Sequence, residues 1–346
     1  MLSQHYPPMP GGISVYAEEH ATALREEGHE VEVAATAPSR ADHVVDIGRR
    51  GGGRSLARLA RRHDRLVVQF QPEILGDPGA SRLSRAFALA RLARGLKAAP
   101  SSELRIHEVD YGLGVWGAIL RHAVRPVWRM ADLLTVHTER ERQDFIRAFG
   151  TAPERVRVAS QGGFLRKRIA LDRAAARASL GLPAGAKLLL AMGFLHPNKG
   201  FDRAVRAFGR LQPEGARLYI VGSLWREDEV SRDHLAALRE LIAETPGTEL
   251  REGYLDDEEF DAWIVASDAM VLPYRKGWSS AVMERGLLYG RPVIMSRMGG
   301  MAEQGSDRPE AILVDDDEGL LEALRRLLSE ATREPPAALG EPRLAD

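Results

Sequence analysis

The chain has 346 residues, which suits two domains better than one core, and its 44% apolar content is enough to bury both. It has no cysteine, which excludes disulfides, thiolate catalysis and zinc–sulfur sites, and no run approaches the ~20 apolar residues of a membrane span. The formal charge of −1 is unevenly spread: residues 1–170 hold 26 Lys/Arg against 19 Asp/Glu, net +7, and the remainder 22 against 30, net −8, so the halves suit different ligands.

The opening "MLSQHYPPMPGG" lacks the basic and apolar regions of a leader peptide. Only Met1–Ser3 precede "QHYPP", too few for a full strand, so either the chain starts late or this edge of the first sheet is short. A helix follows over Ile13–Glu27 and ends at Gly28, a residue suited to a left-handed cap. Strands are expected at His29–Ala37, Arg65–Phe70, Glu103–Val109, Leu133–Thr138 and Arg155–Ser160. Between them lies the densest basic stretch, Ser81–Lys97, with four Arg, one Lys and no acid. Its cations spread around the helical circumference, which reads as a solvated helix; the other reading is contact with an anionic membrane or acceptor.

The halves meet near "QGGFLRKRIALD", giving domains 1–163 and 164–330. The second half alternates strands "KLLLAMG", "RLYIVGS", "ELREGY", "AMVLPY" and "RPVIMS" with helices at Arg203–Leu211, His234–Glu244 and Asp257–Ala266. Strand–helix alternation predicts α/β architecture with two doubly wound parallel sheets. The Pro-rich, aperiodic tail 331–346 is expected to be poorly ordered.

Open parallel sheets bind ligands outside the carboxyl ends of their strands. Three stretches at such places suit an anion. Gly11–Gly12 open a helix with no side chain in the way, so backbone N–H groups approach closely, although Pro-Gly-Gly is also an ordinary turn. Lys199 in "GFLHPNKGFDRA" adds a point charge where a strand passes into a helix; its plain alternative is a surface lysine. Ser279–Ser280 begin a helix after "AMVLPY", and Glu284 one turn on is placed to accept from hydroxyls unless it is merely a solvated helix residue.

These stretches resemble family 4 of the glycosyltransferases, along nearly the whole chain: "PPMPGG" and "ALREEGHEVEV", then "RASLGLPAGAKLLLAMGFLHPNKGFDRAVRAF", "EGYLDDEEFDAWIVASDAMVLPY" and "ERGLLYGRPVIMSRMGGMAEQ". The resemblance implies the GT-B fold, two Rossmann-like domains facing an interdomain cleft. It implies a retaining, metal-independent transfer from a nucleoside diphosphate sugar, UDP-sugar foremost, to an acceptor hydroxyl, in a cytoplasmic bacterial enzyme without a cofactor or nucleic-acid partner. By the same resemblance Lys199 holds the donor diphosphate and Glu284 the ribose hydroxyls. Gly253–Tyr254 edge the base through their backbone, Gly11–Gly12 face the diphosphate and acceptor, and His107 contacts the donor sugar. The plain reading of His107 is a strand-end histidine satisfied by backbone.

Two positions depart from the family pattern. Phe194 stands where an arginine usually makes a second phosphate contact, and Lys276 stands where a glutamate usually touches the donor sugar. They leave room for a non-catalytic sugar-nucleotide-binding relative. "DYGLGVWGAIL" mimics a dinucleotide fingerprint, with Asp132 twenty residues after Gly112, but that acid precedes a strand instead of ending one, which argues against a dehydrogenase. The acidic runs "VDDDEG" and "LDDEEF" directly precede helices, so capping is expected of them, and no metal site.

Overall fold

The computed structural model describes residues 1–330 apart from Pro10, 77–78, 109–124, 225–227 and Trp278. The dinucleotide-like glycines 112, 114 and 117 and the tail therefore lie outside the described residues. The chain forms two compact units, Met1–Ser160 and Gln161–Asp346.

In the first unit all strands are parallel: β1 (Leu2–Ser3), β2 (Ala34–Ala35), β3 (His43–Val44), β4 (Arg65–Phe70), β5 (Ser101–Ile106), β6 (Leu133–Val136) and β7 (Val156–Val158). Their order is β3-β2-β1-β4-β5-β6-β7. The short first strand is thus not an edge, as its length suggested, but sits inside the sheet between β2 and β4. Its two residues also set the length of its neighbour. Leu2 and Ser3 pair with Ala34 and Ala35, so the strand expected over His29–Ala37 has a ladder only there. The strand β3, which no apolar run announced, completes that side.

The second unit carries β8 (Lys187–Met192), β9 (Ala216–Gly222), β10 (Thr248–Glu252), β11 (Ala269–Leu272), β12 (Val293–Ser296) and β13 (Ala311–Val314), all parallel in the order β10-β9-β8-β11-β12-β13. Alternate residues face opposite layers. Leu189, Ala191, Leu218, Ile220 and Val271 pack with helices Phe201–Leu211, Glu229–Ala243 and Asp317–Ser329. Leu188, Leu190, Met192, Val221 and Met270 pack with helices Arg173–Ser179, Asp257–Ala266 and Ala281–Leu288. Burial on both faces explains why these strands read as continuous apolar runs. The acidic runs are caps: Asp256 accepts from the Glu258 and Glu259 N–H groups, and Asp316 from Gly319 N–H. No helix among the described residues is long and apolar enough to cross a membrane.

One buried ionic cluster fastens the second unit. Asp261, fully buried, accepts from Arg285 Nη1 at 3.1 and 2.9 Å and from the Tyr289 hydroxyl at 2.6 Å. Arg285 also donates to the Arg166 carbonyl, and Tyr289 Oη accepts from Arg168 N–H at 3.0 Å. Breaking a buried pair leaves an uncompensated charge, which costs about 3–5 kcal/mol. Arg285→Met should therefore lower the unfolding free energy of this unit by that amount in a urea titration. A loss within experimental error would show that Tyr289 and Arg168 alone satisfy Asp261.

Candidate active site

In each sheet the chain reverses its direction of travel next to the first strand, between β1 and β4 and between β8 and β11. Loops diverge at such switch points, and ligands bind there. Gly11–Gly12, Lys199, Lys276, Ser279–Ser280 and Glu284 follow strands that flank these two places, whereas His107 follows β5 and Gly253–Tyr254 follow the edge strand β10.

In the second unit the loops after β8 and β11 are pinned together. Gly200 has φ 65°, and a Cβ there would stand 2.1 Å from the Pro273 carbonyl oxygen, so only glycine permits the approach. Asn198 O accepts from Arg275 and Lys276 N–H, and the Arg275 guanidinium grips Asp202 through two bonds of 2.6 and 2.7 Å. Arg203 donates to the Pro273 carbonyl and to Asp317. These arginines are spent on carboxylates and backbone. Lys199 is not: among the described residues no carboxylate pairs with it, and its Nζ lies 3.9 Å above the Tyr274 ring. It is half-buried, held by a cation–π contact, at the start of a helix with no side-chain cap. A plain surface lysine would have none of these supports.

Glu284 is buried, not solvated. One oxygen accepts from Gln304 Nε2 at 3.0 Å and the other lies 3.6 Å from Arg308. A Cβ on Gly162 would come within 2.6 Å of the second oxygen, so the carboxylate lies close against the Gly162 backbone. Burial pushes the carboxyl above its ordinary pKa, against the opposing pull of Arg308 and Gln304. Ser280 differs from expectation. Its hydroxyl accepts from Met283 N–H and its own N–H donates to Gln304 Oε1, so it caps the helix and its backbone N–H is taken, leaving only the hydroxyl hydrogen to donate. Ser279 lies half-buried ahead of it, and Lys276 is exposed. Gly253 and Tyr254 follow β10, with Gly253 N–H on the Gly222 carbonyl and the Tyr254 ring 55% exposed.

In the first unit Gly11 (φ 133°) caps the helix Gly12–Glu26, and a Cβ on either Gly11 or Gly12 would meet nothing within 4 Å. One turn on, buried Tyr16 packs edge-on against His107 at 4.6 Å, which ties this helix to the end of β5. His107 is not satisfied by backbone. Its Nε2 lies 2.8 Å from the Gln69 carboxamide and its Nδ1 lies 3.1 Å from His137 Nε2; His137 Nδ1 in turn lies 3.1 Å from the Ala159 carbonyl. At the far end the Gln69 amide meets His20 Nδ1 at 2.9 Å.

Counting protons orders this chain. A carbonyl only accepts, so His137 Nδ1 carries hydrogen. A neutral His137 then accepts at Nε2 from His107 Nδ1–H, leaving a lone pair on His107 Nε2. Gln69 must then offer that lone pair its NH2 group and turn its oxygen to His20, because the opposite amide orientation demands one extra proton. Burial holds all three imidazoles neutral, with His137 lowered to about 4, His20 to about 2 and His107 well below the ordinary value. These polar residues were missed in the sequence except for His107, although an alternation was legible. Gln69 in β4, Glu103 and Arg105 in β5 and Thr135 in β6 recur with period two on neighbouring strands. Buried Glu103 accepts from Arg105 and from the Thr135 hydroxyl, and Arg105 reaches the Tyr16 hydroxyl.

The two Rossmann-like units with anion-suited helix starts at their switch points define the GT-B architecture. The family models agree: residues 10–162 match "Glycosyltransferase Family 4" and residues 186–330 match "Glycosyl transferases group 1". The chain belongs to this glycosyltransferase family. A D-inositol 3-phosphate glycosyltransferase of Streptomyces bingchenggensis is 32% identical over 53% of this chain and 42% of its own length. A relative of the same name from Catenulispora acidiphila is 27% identical over 93% of this chain and 84% of its own. The chain thus spans about half the length of the first of these curated relatives. Among solved structures, Anabaena HepE in complex with UDP-glucose has a TM-score of 0.71 at 17% identity, covering 95% of this chain and 89% of that one. Sucrose-phosphate synthase from Thermosynechococcus elongatus gives 0.70, also at 17% identity, with the same coverage of each chain.

The histidine chain makes a pH prediction. The unfolded imidazoles take up protons near 6.5, whereas folded His137 resists until about 4. Below 6.5 the unfolded state binds more protons, so stability should fall as pH drops from 6.5 towards 4. His137→Gln can still bond Ala159 and His107 without titrating. Its melting temperature should decline less steeply than that of the wild type across this window, by differential scanning calorimetry; parallel declines would remove His137 as the titrating group.

Proposed function

We propose that the protein transfers a sugar from a nucleoside diphosphate sugar, UDP-sugar foremost, to an acceptor hydroxyl with retention of anomeric configuration. The observation that carries this reading is Lys199, half-buried over the Tyr274 ring and, among the described residues, without a carboxylate, beside a switch point where Arg203 and Arg275 are engaged. Negative charge grows on the diphosphate as it departs, and a prepositioned ammonium lowers the barrier there. Buried Glu284 would take the ribose hydroxyls, Gly253–Tyr254 the base, and Gly11–Gly12 the diphosphate and acceptor side. A donor-sugar hydroxyl reaching His107 would displace the Gln69 amide and meet the Nε2 lone pair. The acceptor would attack from the leaving-group face, the diphosphate taking its proton, in the cytoplasm and without a metal. The UDP-glucose complex of HepE and the sugar-transferring relatives support this reading by similarity.

Lys199→Ala should reduce turnover ~10²-fold or more, the scale of losing one electrostatic stabiliser. Steady-state kinetics on the folded variant check this, and near-normal turnover would sink the assignment. Donors are ranked first by thermal shift, since a ligand of the folded state raises its melting temperature. Tight binding without consumption of any donor would favour a non-catalytic relative, a reading motivated by Phe194 and Lys276.

Lys276 supplies a finer test. Lysine only donates hydrogen bonds, so it disfavours a cationic sugar and favours a carboxylated one through a charge-assisted bond. Lys276→Glu should shift the preference from acidic towards amino-sugar donors in competition assays. Identical rankings in both proteins would show that Lys276 does not read the sugar.

A further inference from the structure

Two helices of the first unit, Gly52–Ala60 and Arg82–Ala98, lie side by side. Glycine on each makes the contact close: a Cβ on Gly53 would stand 2.8 Å from Arg91 Cβ, and one on Gly95 would stand 2.4 Å from Leu56 Cδ2. The crossovers they form, from β3 to β4 and from β4 to β5, run in the same direction along the sheet, which puts both helices on one face. The stretches that contain them, Ile47–His63 and Gly79–Ser102, hold ten Arg and one Lys without a single Asp or Glu. Arg50, Arg54, Arg58, Arg61, Arg62, Arg82, Arg94 and Lys97 are exposed. Arg49 is paired with Asp46, and Arg91 turns inward to the Ile47 and Gly48 carbonyls.

The second helix is apolar on two opposite sides. Ala88, Leu92 and Leu96 face the core, while Leu83 and Phe87, one turn apart, point outward at 67% and 53% exposure. Apolar residues on opposite sides cancel in a one-face pattern, so the sequence read as a helix without amphipathic character. We propose that this pair of helices is a docking surface for an anionic phospholipid bilayer, the arginines meeting headgroup phosphates and Leu83 and Phe87 entering the acyl boundary. Charge complementarity selects an anionic partner. The outward Leu and Phe select a bilayer over nucleic acid, because they have no phosphate or base edge to bond and an apolar layer to enter. The surface shares no residue with those proposed for the donor, and its binding needs no nucleotide sugar.

The test is flotation of the full chain with phosphatidylcholine vesicles, with and without phosphatidylglycerol, at low salt (about 50 mM) where surface charge is weakly screened. Flotation only with the phosphatidylglycerol vesicles, weakening with added salt, is the expected result. Arg54→Ser/Arg58→Ser/Arg94→Ser should raise the half-saturating lipid concentration about a hundredfold, on the basis of three arginines near a charged surface. Leu83→Ser/Phe87→Ser should raise it several-fold while keeping the wild-type melting temperature. Failure of the wild type to float, equal binding to both vesicles, or unchanged affinity in either variant overturns the proposal. So does tighter binding to a DNA duplex than to vesicles, which would assign the arginines to nucleic acid.

Discussion

A parallel sheet delivers every strand's carboxyl end to the same rim, so the loops that follow must share limited space. In the second unit that sharing reaches backbone contact. The Gly200 backbone lies against the Pro273 carbonyl, and a Cβ on Gly222 would fall 1.8 Å from the Gly193 carbonyl oxygen. No side chain fits at either contact. What the crowding produces is a rim stiff enough to hold one lysine over one aromatic ring, with its neighbouring arginines bound elsewhere. The chemistry proposed for Lys199 rests on this constraint, because an ammonium on a loose loop would spend ordering free energy at each turnover.

The two units present their site residues by different physics. In the second, half-buried Lys199 keeps its charge unpaired while the neighbouring arginines are engaged by pairing. In the first, polar groups sink into the sheet and satisfy each other in series, from His20 through Gln69 and His107 to His137 and the Ala159 carbonyl. A fully bonded buried network of this kind fixes ring orientation and tautomer together, since changing one hydrogen position requires the whole line to reverse. His107 therefore offers a ligand a directional acceptor, and the cost of reorienting it is shared along the chain.

Much of this was legible in the residues. Arg65–Phe70 and Asp257–Ala266 are a strand and a helix with the limits their patterns gave, because each is bounded by clear polar or capping positions. The Lys199 junction and the two caps followed from local rules as well. Other features depend on partners distant in sequence. Nothing near His29–Ala37 says that its ladder is limited to two residues; β1 does, thirty residues upstream. Ser280 looked available until Gln304, twenty-four residues on, was seen to take its N–H. The histidine chain was missed for the same reason, its links lying 22 to 49 residues apart.

The Asp261–Arg285–Tyr289 cluster also says where the second unit can be separated from the rest. The group 1 family model begins at residue 186, yet the cluster binds backbone at Arg166 and Arg168, and Ala176 and Leu182 lie in the same apolar layer as β8. A fragment cut where that family model begins would keep the whole parallel sheet and still leave the Tyr289 hydroxyl and Arg285 short of backbone partners and one apolar layer open to water. The smallest autonomous piece thus starts about twenty residues before its first strand, so the natural seam for recombining this unit with other first halves lies upstream of Arg166.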